Sequence, residues 1–172
     1  MKKPILFAAA AALALAACAT TPMGTPVAGD MTPEERGAYV QMAASSDLYE
    51  IQSSNLALQR AQNPAVRQFA QMLITHHTQT SQQLMAAARA SGMSPTPQLL
   101  PMHAQMIAQL QQASGAGFDD RFTDQQVPAH EMALALHSNY ARDGDTPALR
   151  ATAAAAVPIV SQHLAQARQL DR

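Results

Sequence analysis

The sequence is poor in cysteine, tryptophan and charged residues, and each scarcity argues against a kind of cross-link, fold or partner. Its 172 residues include one Cys, no Trp, three Tyr and four Phe, and only 13% are charged. A single cysteine leaves no intramolecular disulfide. So few aromatic and β-branched residues argue against a β-sandwich, barrel or propeller. The formal net charge of −1 provides no basic stripe, so nucleic acid is not expected as a partner.

The chain is instead rich in alanine, glutamine and methionine. It has 37 Ala, 19 Gln and 10 Met, and these residue types favour helices. Seven Gly and eleven Pro are too few for a low-complexity chain. The length allows one domain with a tail. The composition therefore predicts a single helical domain.

The N-terminus predicts an export signal with a lipid attachment site. A short basic start precedes an uncharged apolar run over residues 5–17, which is too short to span a membrane, since about 20 residues are needed. The sequence Leu-Ala-Ala-Cys at residues 15–18 resembles the lipobox of bacterial lipoproteins, in which the cysteine is diacylated and becomes the new N-terminus. We therefore expect a signal peptide over residues 1–17 and a membrane anchor at Cys18. The alternative is an ordinary signal peptide with an incidental cysteine.

Processing at this site would change the charge and expose a tether. The only lysines, Lys2 and Lys3, leave with the signal, so nine arginines remain against 12 acidic residues, a net charge of −3. Residues 18–31 are rich in Pro, Gly and Thr and predict a flexible tether, which leaves residues 32–172 for a helical bundle domain. Ala19 after the cysteine resembles lipoproteins sent to the outer membrane. The expected location is therefore the cell envelope, on the periplasmic face of the outer membrane.

Three helix starts share one pattern, a capping Thr or Asn followed directly by proline. They are Thr32-Pro33, Asn63-Pro64 and Thr146-Pro147. With the apolar periodicity, they predict helices over residues 33–61, 64–91, 98–113, 119–142 and 147–170. The prediction is an all-α fold, an up-down four-helix bundle with a short extra helix in the middle crossover. In an up-down-up-down order, both tight turns lie at the same end of the bundle.

Four ionisable side chains lie on or beside the apolar stripes that such a bundle buries. They are Glu50, His77, His130 and His163, one from each long helix. Counted along helices that rise about 1.5 Å per residue, the first two lie about 20 Å from the shared end and the last two about 25 Å, so all four are predicted to meet in one layer. Imidazoles with one carboxylate suit Zn, Cu, Fe or Ni, which predicts one transition-metal ion. The alternative is a metal-free polar layer, with Glu50 hydrogen-bonded to histidine, that fixes the helix register.

The same residues carry a resemblance to a known family. The pattern is Glu50, His77, Gly117-Phe118-Asp119, His130-Glu131, Pro158 and His163-Leu164. It resembles the uncharacterised bacterial family of domain of unknown function 4142, over about residues 36–170. The resemblance implies a ferritin-like four-helix bundle behind a secretion or lipoprotein signal, and it implies no activity, because none is established for the family. Phe122 stands where the family usually has Tyr, so any role of that phenol is absent here.

Ferritin-like di-iron enzymes are a poor match to these residues. They take Glu from two helices and Glu-x-x-His from two others. Here the residues three positions before the histidines are Ile74, Val127 and Val160. Glu50 is also the only carboxylate that the stripes place in the interior. A redox enzyme is therefore disfavoured.

Two other histidines have alternatives of their own. Met102, His103 and Met106 could bind Cu(I) through thioethers, although core packing is the commoner use of such methionines. His137, near the end of its helix, is expected to be solvated.

The resulting hypothesis is an envelope lipoprotein whose bundle is a binding module for one metal ion. The alternative is a metal-free structural or interaction lipoprotein with a protein partner in the envelope.

Overall fold

The computed structural model describes residues 34–171, which form five helices. They are α1 (Arg36–Arg60), α2 (Pro64–Ala90), α3 (Pro101–Gln112), α4 (Ala116–Asp143) and α5 (Pro147–Leu170). The predicted signal peptide, Cys18 and the tether over residues 18–31 lie outside the described residues. Between residues 34 and 171 there is no strand, so the all-α prediction is confirmed. No helix in this part of the chain is long and apolar enough to cross a membrane.

The four long helices form two hairpins that pack side by side. A short turn joins α1 to α2, and another joins α4 to α5. α2 packs on α5, α1 packs on α4, and the short α3 lies against α1 and α4. This arrangement confirms a four-helix bundle with a short extra helix in the middle crossover.

Two of the three predicted helix starts are found where the N-cap and proline pairs place them. Asn63 caps α2 through its side-chain oxygen, and α5 begins directly after Thr146. The first helix begins at Arg36, three residues later than predicted. The reason is that Glu35 acts as the N-cap, its carboxylate accepting the N–H of Gly37 at 3.2 Å. The short helix starts three residues later than predicted and the fourth helix three residues earlier.

The two tight turns lie at opposite ends of the bundle, so the expectation that they share an end is wrong. The carboxylate of Asp119, in the first turn of α4, accepts the backbone N–H groups of Gln62 and Asn63 in the α1–α2 turn at 2.7–3.1 Å. At the other end, Asp145 in the α4–α5 turn accepts the N–H of Arg36 at 3.1 Å. The physical reason is the crossover, which carries the chain back along the bundle, so that α4 starts beside the α1–α2 turn. As a result α2 runs parallel to α4, and α1 runs parallel to α5.

The candidate ligands still share one level, because three of them lie near the middle of their helices and the fourth, His163, lies about two thirds of the way along α5. Glu50 is residue 15 of 25 in α1, and His77 is residue 14 of 27 in α2. His130 is residue 15 of 28 in α4, and His163 is residue 17 of 24 in α5. A residue at mid-helix has nearly the same height whichever end the count starts from. The reversed hairpin therefore leaves the predicted layer in place.

Apolar clusters fill the bundle on both sides of this polar level. One, toward the start of α1, includes Tyr39, Val40, Leu84, Leu136, Tyr140 and Leu149. Another, toward the α1–α2 turn, includes Phe69, Leu73, Leu110, Phe118 and Phe122. Polar side chains buried between two such clusters need hydrogen-bond or metal partners to offset their lost hydration.

Candidate metal centre

Three histidines from three different helices meet at the middle of the bundle. His77, His130 and His163 are 3%, 1% and 0% exposed. Their ring centroids lie 5.2–5.7 Å apart. One ring nitrogen of each lies within 4.8 Å of a ring nitrogen of each of the other two. The structure thus brings three of the four predicted ligands together.

Two of these rings are held in a defined tautomer by an oxygen acceptor. His77 Nδ1 donates to Asp47 Oδ1 at 2.8 Å, and His130 Nδ1 donates to the main-chain oxygen of Gln126 at 2.9 Å. A carboxylate or carbonyl oxygen only accepts, so the proton of each ring lies on Nδ1. The Nε2 atoms of both rings are buried and have no hydrogen-bond partner. When the ring is neutral, that nitrogen carries a free lone pair.

The third ring is held by a fourth histidine. His163 Nε2 lies 2.8 Å from His76 Nδ1, and the two rings are nearly parallel, with an interplanar angle of 10°. The other nitrogen of His163, Nδ1, is buried and has no partner. All three rings of the centre therefore follow one plan, with one nitrogen fixed and the other unpaired.

Asp47 is an interior carboxylate that the apolar periodicity of α1 did not indicate. It is 4% exposed, and its Oδ1 also accepts the Thr80 hydroxyl at 2.9 Å. The expectation that Glu50 is the only well-placed interior carboxylate is therefore wrong. The available signal was its spacing of three residues before Glu50, which puts both on one face of α1. The buried run of small residues around Asp47 obscured that face.

Glu50 lies beside the centre. It is 1% exposed, and its Oε1 is 3.8 Å from His130 Nδ1, longer than a hydrogen bond. Its Oε2 is buried without a partner. Glu50 is thus at the predicted level, next to one histidine and outside the set of three converging nitrogens.

The electrostatic environment shifts the pKa values of the three histidines in different directions. Burial opposes the charge on His77, but its hydrogen bond to Asp47 and the negative charges of Asp47 and Glu50 outweigh it, so the pKa of His77 is raised. Burial lowers the pKa of His130. Burial, with the neighbouring histidine charges, lowers the pKa of His163 to about 2. At neutral pH, His130 and His163 are therefore neutral, the form in which imidazole binds a metal.

The donor set fits one transition-metal ion. Imidazole nitrogens bind such ions at about 2.0–2.1 Å, which places two of them about 3.3–4.2 Å apart on a shared ion. Since the present nitrogens are within 4.8 Å of one another, each ring needs to move inward by about 1 Å or less. A buried, unpaired polar atom costs about 1–3 kcal/mol and is rare in native proteins. One ion bound at the three unpaired nitrogens, Nε2 of His77, Nε2 of His130 and Nδ1 of His163, would satisfy all of them.

His137 lies outside this centre and is buried, so the expectation that it is solvated is wrong. It is 7% exposed, and its Nδ1 is 3.1 Å from the hydroxyl of Tyr39. The physical reason is that the His137 ring faces α1, where it packs edge to face against Tyr39. Burial lowers its pKa to about 4.

The fold should lose stability in mild acid, and His137 should account for part of the loss. Its folded pKa of about 4 lies below the unfolded value, so the unfolded chain binds a proton that the folded chain does not. The contribution of His137 is complete above about pH 6.5 and falls by about 3 kcal/mol as the pH approaches 4. Urea unfolding at about pH 7 and about pH 4.5 measures the change. His137→Gln should remove most of this share, and an unchanged pH dependence would contradict it.

His103 is also buried, but in a different contact. Its Nδ1 lies 2.6 Å from Ser45 Oγ, and its ring stacks on Tyr49. Met102 beside it is 45% exposed. The histidine thus packs α3 against α1, and the alternative Cu(I) site along α3 gains no support from this arrangement.

Comparisons with known proteins place the fold in a family. The family described as Domain of unknown function (DUF4142) matches residues 21–170. No curated protein matches the chain.

Among solved structures, the fold is similar to CopM. The Cu(II)-bound form of CopM superposes with a TM-score of 0.68 at 20% identity, over 80% of this chain and 95% of that one. The Cu(I)-bound form gives 0.65 at 20% identity, over 78% and 94%. The co-crystallised Ag-bound form gives 0.64 at 21% identity, over 78% and 93%. At these identities, the likeness establishes the helical fold.

Proposed function

This chain belongs to the family of the domain of unknown function 4142, and we propose that it is an envelope lipoprotein whose bundle binds one transition-metal ion. The observation that carries the proposal is the group of three buried imidazoles, each fixed at one nitrogen and unpaired at the other. His77, His130 and His163 are the proposed ligands. The proposal concerns binding rather than catalysis, because ligands that are at most 3% exposed leave little access for a substrate.

Copper is the metal that the observations favour. An all-imidazole set suits Cu, Zn, Fe and Ni, so the ligands alone leave four metals open. The similar fold of CopM, which is known in Cu(I)-, Cu(II)- and Ag-bound forms, supports copper within that group. His130 and His163, which are neutral at neutral pH, accept either oxidation state of copper without losing a proton.

The hydrogen bonds behind the ligands support the proposal. Metal-binding histidines usually donate their other N–H to a carboxylate or a backbone carbonyl, which fixes the tautomer and the ring orientation. His77 has the carboxylate of Asp47, and His130 has the carbonyl of Gln126. Glu50, beside His130, is the proposed candidate for a fourth ligand, since its Oε2 is unpaired.

Loading the full chain with copper should give one ion per chain and a more stable fold. The probe is Cu(II) added to the detergent-purified protein, followed by desalting, metal analysis and thermal unfolding. An ion at about 1,000 times its Kd stabilises the fold by about 4 kcal/mol. For a domain of this size, that raises Tm by about 10 °C or more. Competition with Zn(II) and Ni(II) tests the preference for copper.

Matched histidine variants control this experiment. His130→Gln removes one proposed ligand and should abolish the rise in Tm. His103→Gln removes a buried histidine outside the centre and should keep it. If the wild type retains no metal, or if both variants behave alike, the metal-free polar layer becomes the better explanation. Retention of zinc in preference to copper would overturn the metal assignment alone.

The proposed location depends on the Leu-Ala-Ala-Cys sequence at residues 15–18. Acylation of Cys18 would anchor the bundle to the membrane through the tether over residues 18–31. In cells fed labelled palmitate, the wild type should carry label and sediment with the outer membrane. Cys18→Ser should carry none. Equal labelling of the two proteins, or an unlabelled wild type, would contradict the lipid anchor.

A further inference from the structure

His76 is the fourth histidine of the central cluster and differs from the other three in burial. It lies in α2 directly before His77 and is half-buried, whereas the other three rings are at most 3% exposed. Its Nδ1 is 2.8 Å from Nε2 of His163. It thus connects the outside of the bundle with the most buried ligand.

We propose that His76 is the port of the metal centre, the outer ligand that passes the ion to His163. This inference rests on the proposed function. An ion from solvent would first bind His76 Nε2 and then transfer to His163 Nδ1, where the two other ligands join it. A path through His76 avoids opening the apolar clusters on either side of the layer.

The hydrogen bond between the two rings makes the outer and inner positions exclusive. A neutral imidazole carries one proton, and the bond between His76 and His163 uses one proton in all. If His76 Nδ1 is the donor, its Nε2 is free for an ion, while His163 Nδ1 carries a proton and cannot bind. If His163 Nε2 is the donor, its Nδ1 is free for an ion, and His76 Nε2 carries the proton.

Transfer between the two positions conserves protons. The bond from the ion to His76 Nε2 breaks, and a bond to His163 Nδ1 forms. The shared proton moves from His76 Nδ1 to His163 Nε2. The proton that leaves His163 Nδ1 is balanced by one that His76 Nε2 takes from solvent. No net proton is released, so the two states differ only in tautomer and in the place of the ion.

A port and a merely supporting residue predict different kinetics. A port speeds entry and exit equally, so its loss slows both rates and leaves Kd unchanged. A residue that only orients His163 stabilises the bound state, so its loss raises the dissociation rate. His76→Gln separates the two roles, because glutamine can hydrogen-bond to His163 but is a poor copper ligand.

The experiment is stopped-flow mixing of Cu(II) with the full chain, followed by quenching of tyrosine fluorescence. Release into excess chelator gives the exit rate. For His76→Gln we expect both rates to fall about tenfold or more with Kd within about threefold of wild type. Nitrogen NMR of the metal-free protein should show His163 exchanging between its Nδ1–H and Nε2–H tautomers.

The outcomes are separable. Unchanged rates in His76→Gln, or a faster exit with an unchanged entry rate, would overturn the port while leaving the metal centre intact. A wild type that binds no Cu(II) would overturn the proposed function and the port with it. His103→Gln is the matched control, and it should keep both rates, because His103 bonds to Ser45 instead.

Discussion

Replacing His163 with alanine should weaken copper binding by about 100-fold or more. His163 supplies one of three converging nitrogens and is 0% exposed. Loss of a partner that only supports a ligand costs about 10–100-fold in affinity, and loss of a ligand should cost at least as much. The two remaining histidines cannot complete a three-coordinate set. Competition against a chelator of known affinity measures the loss.

The stability of the His163→Ala variant without metal provides the control. Removal of the ring leaves a cavity, which destabilises the fold, but it also removes an unpaired buried nitrogen, which offsets part of that cost. His163→Gln keeps more of the volume and should lose copper equally, so a folding defect in the alanine variant does not decide the question. Wild-type affinity in the glutamine variant would exclude His163 as a ligand.

Asp47→Asn should weaken copper binding by about 10–100-fold, although Asp47 is outside the ligand set. Its carboxylate holds the proton of His77 on Nδ1 at 2.8 Å, which keeps Nε2 available. Its negative charge also makes the ring a better electron donor. Asparagine can still accept that hydrogen bond, but without the charge. The same competition assay gives the change in affinity.

Thr80→Val is the matched control for this substitution. The Thr80 hydroxyl donates to the same oxygen of Asp47 at 2.9 Å, so its loss alters the surroundings of the carboxylate without removing the charge. We expect Thr80→Val to stay within about threefold of wild-type affinity. If Asp47→Asn also binds like wild type, the hydrogen bond to His77 has no bearing on the metal.

Helix starts could be predicted where the signal is local. The side chain of Asn63 caps α2 directly before Pro64, and α5 begins at Pro147, although Thr146 makes no side-chain capping bond. The start of α1 is different, because Glu35 is its N-cap and Asp145 of the other hairpin also accepts the N–H of Arg36. A contact between residues so distant in sequence is not part of any local capping pattern.

The level of the ligands could be predicted, but the direction of the second hairpin could not. Periodicity shows which face of a helix is buried, and residue counts show how far along it a residue lies. Neither periodicity nor residue counts show at which end of the bundle α4 starts after the crossover. The predicted layer is found because Glu50, His77 and His130 lie near mid-helix, where the direction of counting has little effect.

The partners of the ligands could not be found from periodicity. Asp47 lies where α1 is buried on more than one face, among Ser45, Ser46 and Ala44, so no single stripe identifies it. The bond from His76 to His163 depends on rotamers and on the spacing between α2 and α5. Such pairs follow from the packed helices, which the sequence pattern does not contain.

The ligands of the centre are divided between the two hairpins, and this gives the ion a mechanical role. His77 belongs to the α1–α2 hairpin, while His130 and His163 belong to the α4–α5 hairpin. An ion bound to all three would cross-link the halves of the molecule and close a loop of 53 residues between His77 and His130. A covalent cross-link over such a loop stabilises a fold by about 4 kcal/mol. Asp119 and Asp145 already tie the hairpins at their ends, so the ion would add a tie at mid-length, beside the hydrogen bond between His76 and His163.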